Sequence, residues 1–129
     1  MVTVSPDRFS RLLWVLLLTL GLGVVVMGAL GSHLFSVVNT GQYNLAREMH
    51  ALHVLLGLIV LVSPKLFRPQ LSRLIVCLLI AGILLFSGNL YLKSTGMDIL
   101  PRLIPAGGML LMAAWVTAIV AVLYKPETQ

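Results

Sequence analysis

Residues 12–35, LLWVLLLTLGLGVVVMGALGSHLF, form an unbroken run without a charged side chain. About 20 apolar residues are enough for a helix to cross a hydrocarbon core roughly 30 Å thick, so this run can span a membrane. It is also longer than the apolar region of a signal peptide, which has about 7–15 residues. We therefore predict that 12–35 is the first of the chain's membrane-spanning helices.

Three further apolar stretches follow, and charged residues or proline mark their limits. They predict spans at about 44–63, 74–92 and 103–124. None shows the alternation of apolar and polar residues that a membrane barrel strand requires. The sequence thus predicts an all-α membrane protein, a four-transmembrane-helix bundle that forms one integral membrane domain over residues 1–129.

The composition agrees with this fold class. Of the 129 residues, 59% are hydrophobic and 10% are charged, and the mean hydropathy is +1.03, which excludes an ordinary water-soluble domain. The net charge of +5 comes from residues between the apolar runs and not from a basic stripe with interleaved aromatic residues. Neither nucleic acid nor a soluble substrate is therefore expected as a partner.

The distribution of positive residues predicts the orientation. Four spans place both termini and the loop between spans two and three on one side of the membrane. That side has six positive residues, Arg8, Arg11, Lys65, Arg68, Arg73 and Lys125, whereas the other side has three, Arg47, Lys93 and Arg102. The positive-inside rule then places both termini in the cytoplasm.

Most polar residues of the spans lie toward the predicted outer ends. These candidate site residues are His33, His50, His53, Ser87, Asn89 and Tyr91. At 3.6 residues per turn, one helix face contains Ala46, His50, His53 and Gly57, and another contains Gly82, Phe86, Asn89 and Lys93. Because polar groups at membrane depth need partners, we expect both faces to point into the bundle.

The histidines leave three interpretations open. His50 and His53 are spaced so that both can approach one metal ion or haem, with His33 nearby, but no supporting carboxylate shares their face. A proton path would need ionisable groups through the cytoplasmic halves of the spans, where the predicted spans have none. We therefore expect hydrogen bonds between helices, with no metal, no cofactor and no catalytic residue.

Small residues mark a second set of positions. Spans one and four contain Thr19, Gly23, Gly28, Ser32, Gly107, Gly108, Ala114 and Ala118. Small side chains allow close approach of transmembrane helices. Their faces either pack within this bundle or contact another membrane protein.

Four motifs in order resemble a known family. They are GALGSHLF (28–35), the HAL within EMHALHVLLGL (48–58), LFSGNLYL (85–92), and IPAGG with Trp115 downstream (104–115). Together they resemble the YgdD-like inner-membrane family, which is defined by domain of unknown function 423. The positions carried over are Gly28, Gly31, His33, His50, Ser87, Gly88, Leu90, Tyr91, Pro105, Gly107, Gly108 and Trp115.

The resemblance implies a small four-helix protein of the bacterial inner membrane, with relatives in mitochondria and no established biochemical activity. This sequence departs from the family pattern at Arg47 and Glu48, where tyrosine and glutamine are usual. It also departs at His53 and Asn89, where an apolar and a small residue are expected.

Three functions follow as hypotheses. The first is a non-catalytic accessory or assembly subunit of a larger membrane complex, respiratory or another oxidoreductase complex, because the loops are too short to form a binding domain. The second is a small-solute or proton-handling protein that uses the outer polar residues. The third is a metal or haem carrier through the histidines.

Overall fold

A computed structural model of the protein describes residues 7–33, 39–97 and 99–124, and all regular structure in these ranges is helical. The elements are α1 (Arg8–His33), α2 (Thr40–Val62), α3 (Pro69–Ile83), a π-helical turn (Leu84–Gly88), α4 (Asn89–Ser94) and α5 (Leu103–Leu123). From α3 to α4 the chain forms one continuous helix, Pro69–Ser94, so the described residues contain four helices long and apolar enough to cross a membrane. The predicted all-α fold is confirmed for the described residues, with four helices that are long and apolar enough to be the predicted spans.

Three of the spans begin four or five residues earlier than predicted. α1 begins at Arg8, α2 at Thr40 and the third spanning helix at Pro69, and residues 34–35 of the first predicted span lie outside the described residues. The hydropathy of the sequence does not reveal these turns because most of their residues are polar. A helix can begin in polar residues, whose side chains can bind its free N–H groups. At α2, the Oδ1 atom of Asn39 accepts a hydrogen bond of 3.0 Å from the Gln42 amide.

The ends of the second and third spans follow local rules. α2 ends at Val62, with Ser63 as its C-cap and Pro64 next, because proline cannot continue the hydrogen-bonded ladder. The third spanning helix ends at Ser94, and the chain turns away at Gly96, whose positive φ of 89° favours glycine. The amide of Gly96 donates to the Lys93 carbonyl, and that of Met97 donates to the Leu92 carbonyl. This pattern is a Schellman motif, which satisfies the last carbonyls of the helix.

The π-helical turn changes which residues of the third spanning helix face the bundle. The sequence predicts an inward face of Gly82, Phe86, Asn89 and Lys93. Beyond Gly82 that prediction is wrong by one position, because the buried residues are Ser87, Leu90, Tyr91 and Ser94. A π turn contains one residue more than an α turn, so the buried face moves along the sequence by one residue.

Glycine allows the third spanning helix and α5 to pack closely. A Cβ atom built on Gly107 would lie 2.8 Å from the Leu85 carbonyl carbon, and one built on Gly82 would lie 2.7 Å from the Leu111 Cγ atom. Real carbon atoms do not approach so closely, so the two helices are in contact along their backbones. The π-helical turn lies at this contact, directly opposite Gly107.

α1 is the least buried of the spans. Of its described residues, Leu13 and Leu17 are buried, and Leu17 fills the space above Gly57 of α2. Asp7, the residue before α1 begins, forms an ion pair of 2.9 Å with Arg73 of α3. The Ser10 hydroxyl, which donates to Asp7, and then the Arg73 charge hold the pKa of this exposed carboxyl below its ordinary value.

The contact at Gly107 predicts a large cost for one added methyl group. Gly107→Ala should destabilise the protein by about 1–3 kcal/mol, because the backbone of the π-helical turn cannot move aside without separating the helices. Thermal unfolding in detergent measures the change.

Gly88→Ala is the matched control within the π-helical turn, because a Cβ atom there meets nothing within 4 Å. It should be neutral or stabilising by up to about 1 kcal/mol, since alanine has the higher helix propensity. Equal destabilisation by both substitutions would contradict the packing described.

Candidate functional site

Three buried aromatic and imidazole side chains join three spans near one end of the bundle. We call Tyr43, His50 and Tyr91 the tyrosine–histidine cluster. The Nδ1 atom of His50 lies 3.3 Å from the Tyr91 hydroxyl, and the rings of Tyr43 and Tyr91 meet edge to face with centroids 5.2 Å apart. The Tyr43 hydroxyl donates a hydrogen bond to the Met27 carbonyl of α1. The cluster thus connects α2 to both α1 and α4.

The imidazole of His50 reaches α1 because α1 has glycine at the contact. A Cβ atom on Gly23 would lie 3.4 Å from Cε1 of His50, and the Leu20 carbonyl lies beside the same ring. The Nε2 atom is buried and has no hydrogen-bond partner among the described residues. His50 therefore forms its hydrogen bond with Tyr91 of α4 and makes a packing contact with α1.

His53 forms a separate contact with α5. Its Nδ1 atom lies 2.7 Å from the Met49 carbonyl, and the Trp115 indole N–H donates to its Nε2 atom at 3.2 Å. Because a carbonyl oxygen can only accept, the Nδ1 atom carries the proton in this arrangement and Nε2 is the acceptor. Both nitrogens of His53 are thus occupied, and a metal ion could bind Nε2 only by displacing Trp115.

The remaining predicted polar residues occupy different surroundings. Ser87 is buried, and its hydroxyl has no hydrogen-bond partner among the described residues. Asn89 is half-buried and donates a hydrogen bond of 2.8 Å to the Leu85 carbonyl of its own helix. His33 is exposed at the end of α1. Of the three histidines, the structure therefore places His50 and His53 inside the bundle and leaves His33 at its edge.

Two residues of these contacts are missing from the predicted site. Tyr43 lies just before the predicted start of span two, but it precedes Ala46 by three positions and His50 by seven. It therefore continues the predicted α2 face by one turn. Trp115 lies on the opposite span, and nothing in the spacing of the sequence connects it to His53.

Most of the small residues pack within this chain. Gly23 and Gly28 face His50 and Arg47 of α2, and Gly108 faces the Phe86 ring. Gly107, Ala114 and Ala118 are buried in the bundle, so these three are not available as a face for another protein. Thr19 and Ser32 are exposed, and the Ser32 hydroxyl donates to the Gly28 carbonyl.

Residues 7–33, 39–97 and 99–124 do not bring together a set of side chains for a metal centre. No group of three or more histidine, cysteine, aspartate or glutamate side chains in these ranges is arranged to hold a metal ion. Cys77 is exposed on the outside of α3, away from the buried face that contains Ile75, Val76 and Leu79.

Comparison with known families gives one assignment. A family model described as "Protein of unknown function (DUF423)" matches residues 27–108, which is more than half of the chain. The chain belongs to this family. In this DUF423 protein the matched range contains the whole tyrosine–histidine cluster and ends at Gly108, before Trp115. No solved structure matches the chain.

The hydrogen bond between His53 and Trp115 predicts a measurable coupling. We expect a double-mutant cycle of His53→Leu and Trp115→Phe to give an interaction free energy of about 0.6 kcal/mol, the average for hydrogen bonds between membrane helices. Unfolding in detergent titrated with denaturing surfactant provides the measurement.

Trp14→Phe is the matched control, because Trp14 is half-buried on α1 and forms no hydrogen bond to His53. Its cycle with His53→Leu should show no coupling. A coupling as large as that of Trp115 would show that the indole effect is not specific to the hydrogen bond.

Proposed function

We propose that this DUF423 protein is a non-catalytic accessory or assembly subunit of a larger complex in the bacterial inner membrane. A respiratory or other oxidoreductase complex is the first class of partner to examine. The observation that carries the proposal is the surface of α1, a 26-residue helix in which two described residues are buried. The glycine side of this helix packs on α2, and the opposite side is exposed.

The outward side of α1 has a spacing suited to another helix. Val15, Leu18, Leu22 and Val25 are each more than half exposed, and they follow one another at intervals of three, four and three residues. We call them the outer α1 face. Apolar residues at these intervals form the seam of helix pairs that pack knobs into holes. Because the glycines of α1 face α2, aliphatic side chains would make the contact with a partner.

Outside the membrane, the described part of the proposed subunit would offer a partner only short connections. Its described connections are short, from Ser63 to Arg68 and from Thr95 to Arg102 with residue 98 outside the description. Association at membrane depth depends on close van der Waals contact and not on the hydrophobic effect. This requirement favours a long, regular helix surface such as the outer α1 face.

A second candidate function uses the interior polar groups. The buried hydroxyl of Ser87, without a described partner, favours a small solute or a proton carried through the outer half of the bundle. In the other half, the helical residue Arg73 is paired with Asp7 at the bundle end. Between this ion pair and the tyrosine–histidine cluster, the described core side chains are mostly aliphatic. This composition favours the accessory role over proton transfer.

The proposed orientation places both termini in the cytoplasm, according to the six positive residues on that side and the three on the other. In a Cys77→Ala background, Met97→Cys should react with a membrane-impermeant thiol reagent on intact cells, and Gln70→Cys should react only after permeabilisation. Both side chains are exposed, so burial does not mask either of them. The opposite labelling pattern would overturn the orientation.

The partner proposal predicts that truncating the outer α1 face separates the protein from its complex. The triple substitution Leu18→Ala, Leu22→Ala and Val25→Ala should lower co-purification of oxidoreductase subunits about tenfold or more, since truncated interface anchors commonly cost over 1 kcal/mol each. Quantitative mass spectrometry after mild detergent extraction measures the loss.

The matched control is Met112→Ala, Val116→Ala and Ile119→Ala, three exposed residues of α5. Both triple variants should retain the thermal stability of the parent protein, and the control should retain its partner. A parent protein that is extracted as a homogeneous, partner-free monomer would contradict the accessory role.

A further inference from the structure

Arg47 is a half-buried cation on the second turn of α2. The ion pair found among residues 7–33, 39–97 and 99–124 joins Arg73 to Asp7, so Arg47 has no carboxylate partner in the described chain. The neighbouring Glu48 is exposed, and on a helix it points about 100° away from Arg47. The guanidinium of Arg47 is therefore free of a carboxylate among the described residues and can accept an anionic ligand.

The position of Arg47 along α2 places this charge within the span. Seven residues separate it from Thr40, so it lies about 10 Å along the helix axis from the start of α2. Its side chain extends toward α1, where a Cβ atom on Gly28 would lie 3.9 Å from Nη1 and 4.0 Å from Cδ. Its charge also interacts with Tyr91 of α4. The guanidinium thus lies against α1, near Tyr91 of α4 and about two turns from the start of α2.

An apolar crevice lies beside the same residues. It has a volume of about 160 Å³ and is lined by Met27, Tyr43, Tyr91, Leu92, Thr95 and Met97. Tyr43 precedes Arg47 by one turn of α2, Met27 precedes Gly28 on α1, and Tyr91 is the residue that interacts with the Arg47 charge. The crevice and the guanidinium are therefore adjacent, and together they offer an apolar surface next to a positive charge.

We propose that Arg47 binds the phosphate of an anionic phospholipid, with the first part of an acyl chain in the crevice between α1 and α4. Guanidinium groups bind phosphate oxygens through two parallel hydrogen bonds, and basic pockets between membrane helices are known to bind anionic headgroups. Lys93 and Arg102 lie near the same end of the bundle and add to its positive charge. This lipid site is independent of the accessory role.

Native mass spectrometry of the full chain in detergent, with added dioleoyl phosphatidylglycerol, tests the site. Arg47→Gln should lower the population of the phosphatidylglycerol complex about fivefold, because it removes the charged hydrogen bonds from the guanidinium to the phosphate. Arg102→Gln is the matched control because it removes an exposed charge from the same end, and it should change the population less than twofold. Equal losses in the two variants would overturn the site.

Two further arms identify the ligand. Dioleoyl phosphatidylcholine should bind more weakly than phosphatidylglycerol, and inorganic phosphate at millimolar concentration should not displace the bound phosphatidylglycerol. Displacement by inorganic phosphate would show an anion site without lipid recognition and would overturn the proposal.

A second variant keeps the test decisive if Arg47→Gln lowers the unfolding temperature. Met97→Trp leaves Arg47 in place and fills the crevice with a larger side chain. It should reduce the phosphatidylglycerol complex while thermal unfolding stays at the parent value. Unchanged lipid binding in Met97→Trp would contradict the acyl-chain part of the proposal and would overturn the phospholipid as the ligand.

Discussion

A buried polar group in a membrane must find its hydrogen-bond partner within the protein, because the hydrocarbon core supplies no water. This constraint accounts for the contacts between the spans. His53 uses both ring nitrogens, one for its own helix and one for Trp115, and Tyr43 reaches across to a carbonyl of α1. The polar groups therefore determine which helices are neighbours, and the aliphatic side chains fill the space around those contacts.

Glycine determines how closely the same helices approach. Since lipid tails are as apolar as leucine, transmembrane helices gain most from close van der Waals contact. Gly107 lets α5 touch the backbone of the π-helical turn, and Gly31 leaves room for the Tyr43 ring, which a side chain on α1 would displace. The hydrogen bond from Tyr43 to Met27 thus depends on a missing side chain four residues further along α1. Close packing and polar satisfaction are parts of one arrangement.

The sequence predicts the spans well because hydropathy alone determines which segments enter the bilayer. It predicts the α2 face of Ala46, His50, His53 and Gly57 correctly, since an uninterrupted α-helix keeps its period. It fails on the third spanning helix because no residue pattern indicates the extra residue of a π turn, which follows from the tertiary contact with Gly107. It also fails to connect Trp115 with His53, because a hydrogen bond between residues 62 positions apart leaves no local pattern.

Two of the arginines on helices, Arg73 and Arg47, have different surroundings. Arg73 has a carboxylate from Asp7 and the Phe9 ring 5.8 Å away, so both the charge and the flat face of its guanidinium are met within the chain. Arg47 has Gly28 beneath it and tyrosine nearby, which accommodate its shape and leave its charge unpaired among the described residues. Arg47 is therefore a half-buried cation without a carboxylate partner in the described part of the chain. The proposed lipid phosphate would supply the charged hydrogen bonds that Asp7 supplies to Arg73.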